Sequence, residues 1–393
     1  MPTKDSCAIR HYFDWAASSP FDHGIINQVN SVAVYGNPSS QHCEGKAAKL
    51  ALEDARKRCA AILNVPPETL FFTSGGTESN SIALFSNLIK KGQGKIISSL
   101  AEHSSVREGM ETIERMGKLT GRIAVDSEGR VTPDILEKTL SKYGDVRFAS
   151  CMAVNNETGS ITDIASLTDV IRKKSGAPVH FHCDLVQAIG KIPVDIQGWE
   201  VDSASISAHK IGGPRGIGLL YLRRPAQSNE IFYSGGGQEN GVRGGTENTQ
   251  GALCLAACLE KYAKPETVNA EYANAISRWN KLITSLAAFE RCTLIPRGRA
   301  EAEAQNGFSP YILQAAFKDI PGEVMARALD DMGFAVSTGS ACSSSSPERP
   351  VLLAMGVEEK LRIEGIRISQ GYATTVEEID LLITAIAEVL KFL

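Results

Sequence analysis

Ser207-Ala208-His209-Lys210-Ile211-Gly212-Gly213-Pro214 is the stretch on which the fold turns. A single lysine closes an apolar, strand-like run from Val201 to Ser207 and opens a glycine-rich turn. A charged amine at the inner end of a buried strand is costly unless something there requires it. Lysine loses its proton readily on desolvation, which makes it a nucleophilic amine able to form a Schiff base. The glycines and Pro214 let the backbone approach a bulky partner and then turn away. Alone, the segment also reads as a surface lysine that follows a strand.

Working outward, short apolar runs alternate with amphipathic ones from about Leu50 to Arg224. Lys95 to Leu100, Val146 to Val154, Val179 to Cys183, Val201 to Ser207 and Gly216 to Leu222 read as strands. Several are nearly continuous in apolar or small residues, as expected when both faces of a sheet are covered. Between them lie helical patterns such as Asn80 to Lys91, where Ile82, Phe85 and Ile89 share a face and Gly92 ends the run. The alternation predicts a mainly parallel α/β sheet, whose ligands bind at the carboxyl ends of its strands. Lys210 stands at such an end.

The pattern changes after the glycine-rich segment Ser234 to Gly245. A long helix (Asn269 to Phe289), short strands at Thr293 to Ile295, Tyr311 to Phe317 and Phe334 to Val336, and a helix from Gly322 to Met332 follow. A strand at Gly365 to Ser369 and a last helix from Thr375 complete a small α+β unit. At 393 residues two domains are expected, with the joint in Lys261 to Glu271.

Hydrophobic content of 43%, charged content of 22% and a net charge of -4 describe an ordinary globular chain and give no electrostatic reason to expect nucleic acid or an anionic membrane. No apolar stretch approaches spanning length and Met1 to Asp14 lacks the pattern of a signal peptide, so the expected location is cytoplasmic. Nine widely spread cysteines form no disulfide framework and no CxxC pair.

Several polar constellations fall at strand ends. Thr73-Ser74-Gly75-Gly76-Thr77-Glu78 opens a helix with small residues whose free N–H groups suit an anion, although a plain N-cap explains it too. His180, His182 and Asp184 alternate on one strand face, with Gln187 beyond. They could hold a metal. Alternatively, a carboxylate there keeps a pyridine nitrogen protonated, as pyridoxal phosphate requires, and Gln187 bonds the ring oxygen. His103, in Ala101-Glu102-His103, is either a satisfied polar group or a ring-stacking proton shuttle, and Asn155 to Gly159 either a turn or a substrate site. Ser337-Thr338-Gly339-Ser340-Ala341-Cys342-Ser343-Ser344 sets one cysteine among residues with almost no bulk, which favours a reachable nucleophile over a packed thiol. Arg367, a charge inside a strand, is either paired structurally or a clamp for a carboxylate.

Together these segments resemble the cysteine desulfurases of the class V aminotransferase group, which use pyridoxal 5'-phosphate. The resemblance runs nearly end to end, through Phe13 to Ala16, Gly36 to Ser40, Thr73 to Glu78, Glu102-His103, Asn155 to Gly159, Asp184 to Gln187, Ser207 to Lys210, Gly235 to Thr246 and Ser340 to Cys342. It implies the type I fold of pyridoxal-phosphate transferases: a large domain with a mainly parallel seven-stranded sheet (16–262), a small α+β C-terminal domain carrying the cysteine loop (263–393), and an N-terminal segment (1–15) packed on the latter. It further implies that Lys210 holds the cofactor and moves the substrate Cα proton, that Asp184 pairs with the ring nitrogen and Gln187 with the ring oxygen, and that His103 stacks on the ring. Gly76, Thr77, Ser207 and His209 are implied to hold the phosphate, with Thr246 reaching it from the other subunit of a homodimer. Asn37, Asn156 and Arg367 are implied to bind L-cysteine, with Asn156 also near the cofactor, while Cys342 takes its sulfur as a persulfide, releases alanine and serves an acceptor or iron–sulfur scaffold protein. A selenocysteine lyase, another class V enzyme or a non-catalytic scaffold are the competing readings. Three departures stand out: Asn80-Ser81 replaces an Asp/Asn-Asn pair, Asn240 replaces a common arginine, and the chain stops at Leu393 without the tail that relatives use in docking the scaffold protein.

Overall fold

The computed structural model describes residues 10–32, 34–89, 94–174, 178–224, 231, 235–301, 307–339 and 348–393. In chain order the strands are β1 (His11–Tyr12), β2 (Leu70–Thr73), β3 (Lys95–Ser99), β4 (Thr120–Ile123), β5 (Val146–Ser150), β6 (His180–Asp184), β7 (Ser203–Ser207) and β8 (Gly218–Leu222). They continue as β9 (Cys292–Ile295), β10 (Ile312–Phe317), β11 (Phe334–Ala335) and β12 (Gly365–Ser369). Seven of them form one sheet in the order β2-β8-β7-β6-β5-β3-β4. Only β8 runs against its neighbours β7 and β2, so the sheet is mainly parallel as expected.

Parallel strands need crossovers that cover both faces, and the sequence supplies helices between successive strands from β2 to β6, while β6 and β7 are joined by a helix-free series of turns. β7 and β8 are buried at every position, which explains why they read as unbroken apolar or small runs. β4 escaped the sequence reading because Thr-Gly-Arg-Ile alternates in burial at the sheet edge and offers no apolar run. The helix expected from Asn80 instead begins at Gly76 and ends at Phe85. Glycines there look like a loop by propensity. Packing explains the difference: a Cβ on Gly76 would lie 2.6 Å from Val186 Cγ2, so only glycine lets this helix start close to the sheet.

A second, three-stranded antiparallel sheet has the order β12-β10-β9. Its core gathers Trp279, Leu282 and Leu286 from the helix Pro265–Ala287 with Ile379, Leu382 and Ile386 from the helix Val376–Phe392. The latter opens with a capping box between Thr375 and Glu378. Phe13 lies in the same core, and β1 pairs in parallel with β11, so the chain's beginning is stitched onto its C-terminal part. Among the described residues no helix is long and apolar enough to cross a membrane.

The glycine-rich segment near residue 240 is held by a buried ion pair. Arg56 donates to both carboxylate oxygens of Glu239 at 2.7 and 2.8 Å, and Glu239 also accepts from the Phe72 N–H of β2 at 2.8 Å. Glu239 and Asn240 both sit at positive φ, 46° and 53°, a strained backbone that this pairing maintains. Removing Glu239 leaves the buried Arg56 with only the part-exposed Glu53 and the Leu70 carbonyl, and strips the Phe72 N–H of its acceptor, so Glu239→Ala is expected to lower unfolding stability by ~2–4 kcal/mol in urea titrations. The double replacement Glu239→Leu/Arg56→Met is expected to cost far less.

Candidate active site

The carboxyl ends of β3, β5, β6 and β7 converge on a cavity of about 190 Å³. β7 passes into a short turn, Ala208–Lys210, that delivers the lysine to it. Lys210 Nζ donates to the carbonyls of Ala16 and Ala17 at 2.6 and 2.7 Å. The same N-terminal stretch is fixed to the lysine turn by Ser19, whose N–H and hydroxyl both donate to the His209 carbonyl at 2.8 Å. Gly212 follows at φ 81°, a left-handed turn that glycine adopts without strain.

Asp184 ends β6 at the cavity, where Oδ1 accepts from the Val186 N–H at 2.9 Å and Oδ2 from Asn80 Nδ2 at 2.8 Å. A carboxylate only accepts, so the Asn80 amide must turn its nitrogen toward Asp184 and its oxygen toward His182. His182 Nε2, 2.9 Å away, therefore carries the proton that Asn80 Oδ1 receives. Burial holds His182 down at about 3, so this imidazole is neutral. His180 and His182 both meet the Ser203 hydroxyl, at 2.7 and 2.8 Å, while Asp184 turns to Asn80, so the three do not converge on a metal. Among the described residues no group of three acidic, histidine or cysteine side chains could hold one.

His103 follows β3 and caps the helix Ser104–Arg115 by accepting the Ser105 N–H at Nδ1, 3.2 Å away, which leaves its proton on Nε2. Burial lowers its pKa against the pull of Asp184, with Lys210 acting in the same direction as burial. Gly76 and Thr77, at the N-terminus of the helix Gly76–Phe85, share one part of the cavity with Ser207 and His209. Burial, helped by Lys210 and Arg215, pushes His209 down to about 3.

Arg367 comes from β12 of the other sheet. It is 1% exposed and donates to Asp14 at 2.7 Å and to the Asn156 carbonyl at 2.9 Å, while its Nε has no partner. Gln187 completes the wall; its amide donates to the Ala16 carbonyl at 2.9 Å and accepts from Lys191 at 2.7 Å.

The structure thus brings Lys210, His103, Asp184, Gln187, Asn156 and Arg367 together with Gly76, Thr77, Ser207 and His209. Asn37 and Thr246 do not line the cavity of this chain: Asn37 is exposed and bonds the Ser39 N–H, and Thr246 is exposed. Cys342 lies outside the described residues, but both flanks of its segment are fastened to β12. Ser337 pairs with Arg367 itself, and Arg349 donates to the Gly365 carbonyl at 2.9 Å. Sequence reasoning missed Asn80, Asp14 and Lys191; only the Asn80-Ser81 departure signalled that contacts there were unsettled.

Residues 11–382 match the class-V aminotransferase family. The chain belongs to that family. It is 36% identical over 384 residues to a NifS/IcsS protein homologue of Lactobacillus delbrueckii subsp. bulgaricus, covering 96% of each chain. It is 35% identical over 384 residues to the cysteine desulfurase IscS of Vibrio cholerae, covering 95% of this chain and 91% of the relative. A solved NifS-like protein superposes with a TM-score of 0.87 at 34% identity, covering 98% of this chain and all of that one. This class-V fold accords with the α/β architecture read from the sequence.

Glu102, beside His103, is wholly buried with one oxygen accepting from Ser150 at 2.6 Å and the other without a partner. Burial raises its pKa from 4.5 to about 8, so in the folded protein it is a neutral acid near pH 7. In the unfolded chain it ionises above its ordinary value, so its contribution to stability is full below pH 4.5 and is lost as pH rises through about 8. Glu102→Gln removes that dependence. Urea unfolding should find the variant gaining on wild type between pH 4.5 and 8, by roughly 2–4 kcal/mol at the upper end.

Proposed function

We propose that this chain is a cysteine desulfurase that converts L-cysteine to L-alanine with pyridoxal 5'-phosphate and passes the sulfur to an acceptor protein of iron–sulfur assembly or of cofactor or tRNA thiolation. One observation carries the reading: a lysine, a strand-end carboxylate and a histidine surround one cavity that a buried arginine enters from the second sheet. The names of the relatives, one of them the Vibrio cholerae cysteine desulfurase, support the same chemistry.

The residues present fit the cofactor. Lys210 supplies the amine for its aldehyde, Asp184 a carboxylate for its ring nitrogen, and the glycine-lined helix start with Ser207 and His209 a set of donors for its phosphate. When bound, the cofactor supplies an electron sink for the charge that develops at the substrate Cα. Asn80 and the Val186 N–H hold Asp184 in place for that task. Lys210, released from its carbonyl partners, takes and returns the Cα proton. Arg367, which lines the cavity, binds the substrate carboxylate by exchanging Asp14, and Asn156 lines the same cavity. Fixing that carboxylate makes sulfur attack effectively unimolecular.

The Cys342 thiolate attacks the substrate sulfur: an S–S bond forms, the C–S bond breaks, and the carbon fragment leaves as alanine. The attachment of Ser337 and Arg349 to β12 supports this role, because it roots both ends of the cysteine segment beside Arg367. The proposal includes a cytoplasmic homodimer in which the exposed Thr246 serves the neighbouring subunit, and a division into a large domain (16–262) and a small one (263–393) that the N-terminal segment (1–15) joins. The helix break between Tyr262 and Pro265 supports that division.

Purified protein with pyridoxal phosphate should be yellow and release alanine and, with a reductant, sulfide from L-cysteine. Lys210→Ala should lose the visible band, and Cys342→Ala should keep it while sulfide release falls to background. Sulfide release by Cys342→Ala at the wild-type rate would overturn the nucleophile. Arg367→Leu is expected to lower kcat/KM by about 100-fold or more, as loss of a buried charge clamp does, with the visible band retained.

A further inference from the structure

A buried lysine that the chemistry above does not use lies behind Gln187. Lys191 is 6% exposed, and among the described residues the one hydrogen bond of its side chain runs from Nζ to Gln187 Oε1 at 2.7 Å. It reaches there because the chain turns sharply after β6. Gly190, at φ 72°, carries Lys191 back beneath the residue four positions earlier, and a Cβ at Gly190 would meet Ile211 Cγ2 at 3.0 Å. Burial, with Lys210 and Arg367 nearby, lowers the Lys191 pKa to about 7. As an ammonium its nitrogen has no lone pair and can only donate, so it is the charged form that admits an oxygen and not an amide N–H as its partner.

A glutamine side chain can present either its oxygen or its nitrogen to a cavity, and only its partners decide which. Here both partners agree. Lys191 forces Oε1 to face away from the cavity as an acceptor, and the Ala16 carbonyl, which can only accept, takes one hydrogen of Nε2 at 2.9 Å. The second Nε2 hydrogen is what Gln187 has left for a ligand. The Ala16 carbonyl also accepts from Lys210, so Lys191, Gln187, Ala16 and Lys210 form one continuous hydrogen-bonded series.

We propose that Lys191 is a positioning residue that fixes the polarity of the Gln187 amide, so that the cavity wall offers a donor, never an acceptor, to the ring oxygen of the bound cofactor. The inference rests on the pyridoxal-phosphate reading of the site. A donor at that oxygen draws electron density from it and lowers the proton affinity of the nitrogen that Lys210 contributes to the cofactor. Without Lys191 only the Ala16 carbonyl still holds the amide, its oxygen loses its partner, and an oxygen turned toward the ring oxygen would act in the opposite sense.

The test is the pH titration of the visible absorbance of the holoenzyme. Lys191→Met should move the midpoint upward by roughly one pH unit, Gln187→Leu should move it by a similar amount, and the double variant should move it no further than Gln187→Leu alone. An unchanged midpoint in Lys191→Met, or a double variant showing the sum of the two shifts, overturns the inference. If Lys191→Met does not fold, Lys191→Gln, whose shorter donor cannot reach Oε1 equally well, should give a partial shift in the same direction; no shift overturns the proposal. A wild-type protein with no Lys210-dependent visible band would instead sink the cofactor reading itself.

Discussion

Parallel pairing delivers the carboxyl ends of β3, β5, β6 and β7 to one edge of the seven-stranded sheet, and the site depends on that constraint. Each strand hands over one polar group as its ladder ends: His103 after β3, Asn156 after β5, Asp184 on β6 and Lys210 after β7. Inside the sheet such groups would be buried without partners. At its edge they meet one another, the turns and the cavity. The single reversed strand, β8, lies between β7 and the edge strand β2, and β2 leads into the helix at Gly76.

The electrostatics follow from how completely the edge is enclosed. Burial keeps His182 and His209 neutral and Glu102 protonated near pH 7, so much of the surrounding titratable shell carries no charge. Asp184 is then oriented by neutral donors rather than by a cation, since Asn80 and a backbone N–H are its partners. Asn80 is in turn locked between Asp184, Ser105 and His182. Preorganised dipoles of this kind need no rearrangement when a charged ligand arrives.

Residues 13 to 19 act as a strap between the two sheets. Phe13 sits in the core of the C-terminal part, Asp14 pairs with Arg367 of β12, and Ala16 to Ser19 bond the lysine turn of the large sheet. The cavity therefore has walls from both parts of the chain, and a short N-terminal segment sets their registration. Ser337 and Arg349, on either side of the segment that carries Cys342, are likewise fastened to β12.

The strand and helix periodicities, the run of small residues at Gly75 to Thr77 and the lysine after β7 were all legible because they depend on neighbours in the chain. β6, β7, β8 and β12 fall within a few residues of their sequence-read positions for that reason. Four features were not legible. The helix start at Gly76 depends on contact with Val186, the Asn80 role on a bond to Asp184 across 104 positions, and the Arg367 pairing on Asp14 across 353. The amide orientation of Gln187 likewise needs the Ala16 carbonyl, 171 positions away. Local sequence determined which residues carry chemistry and that a parallel sheet would present them. Only the tertiary structure decided how each is oriented, because a hydrogen bond depends on where its partner lies in space and not on where it lies along the chain.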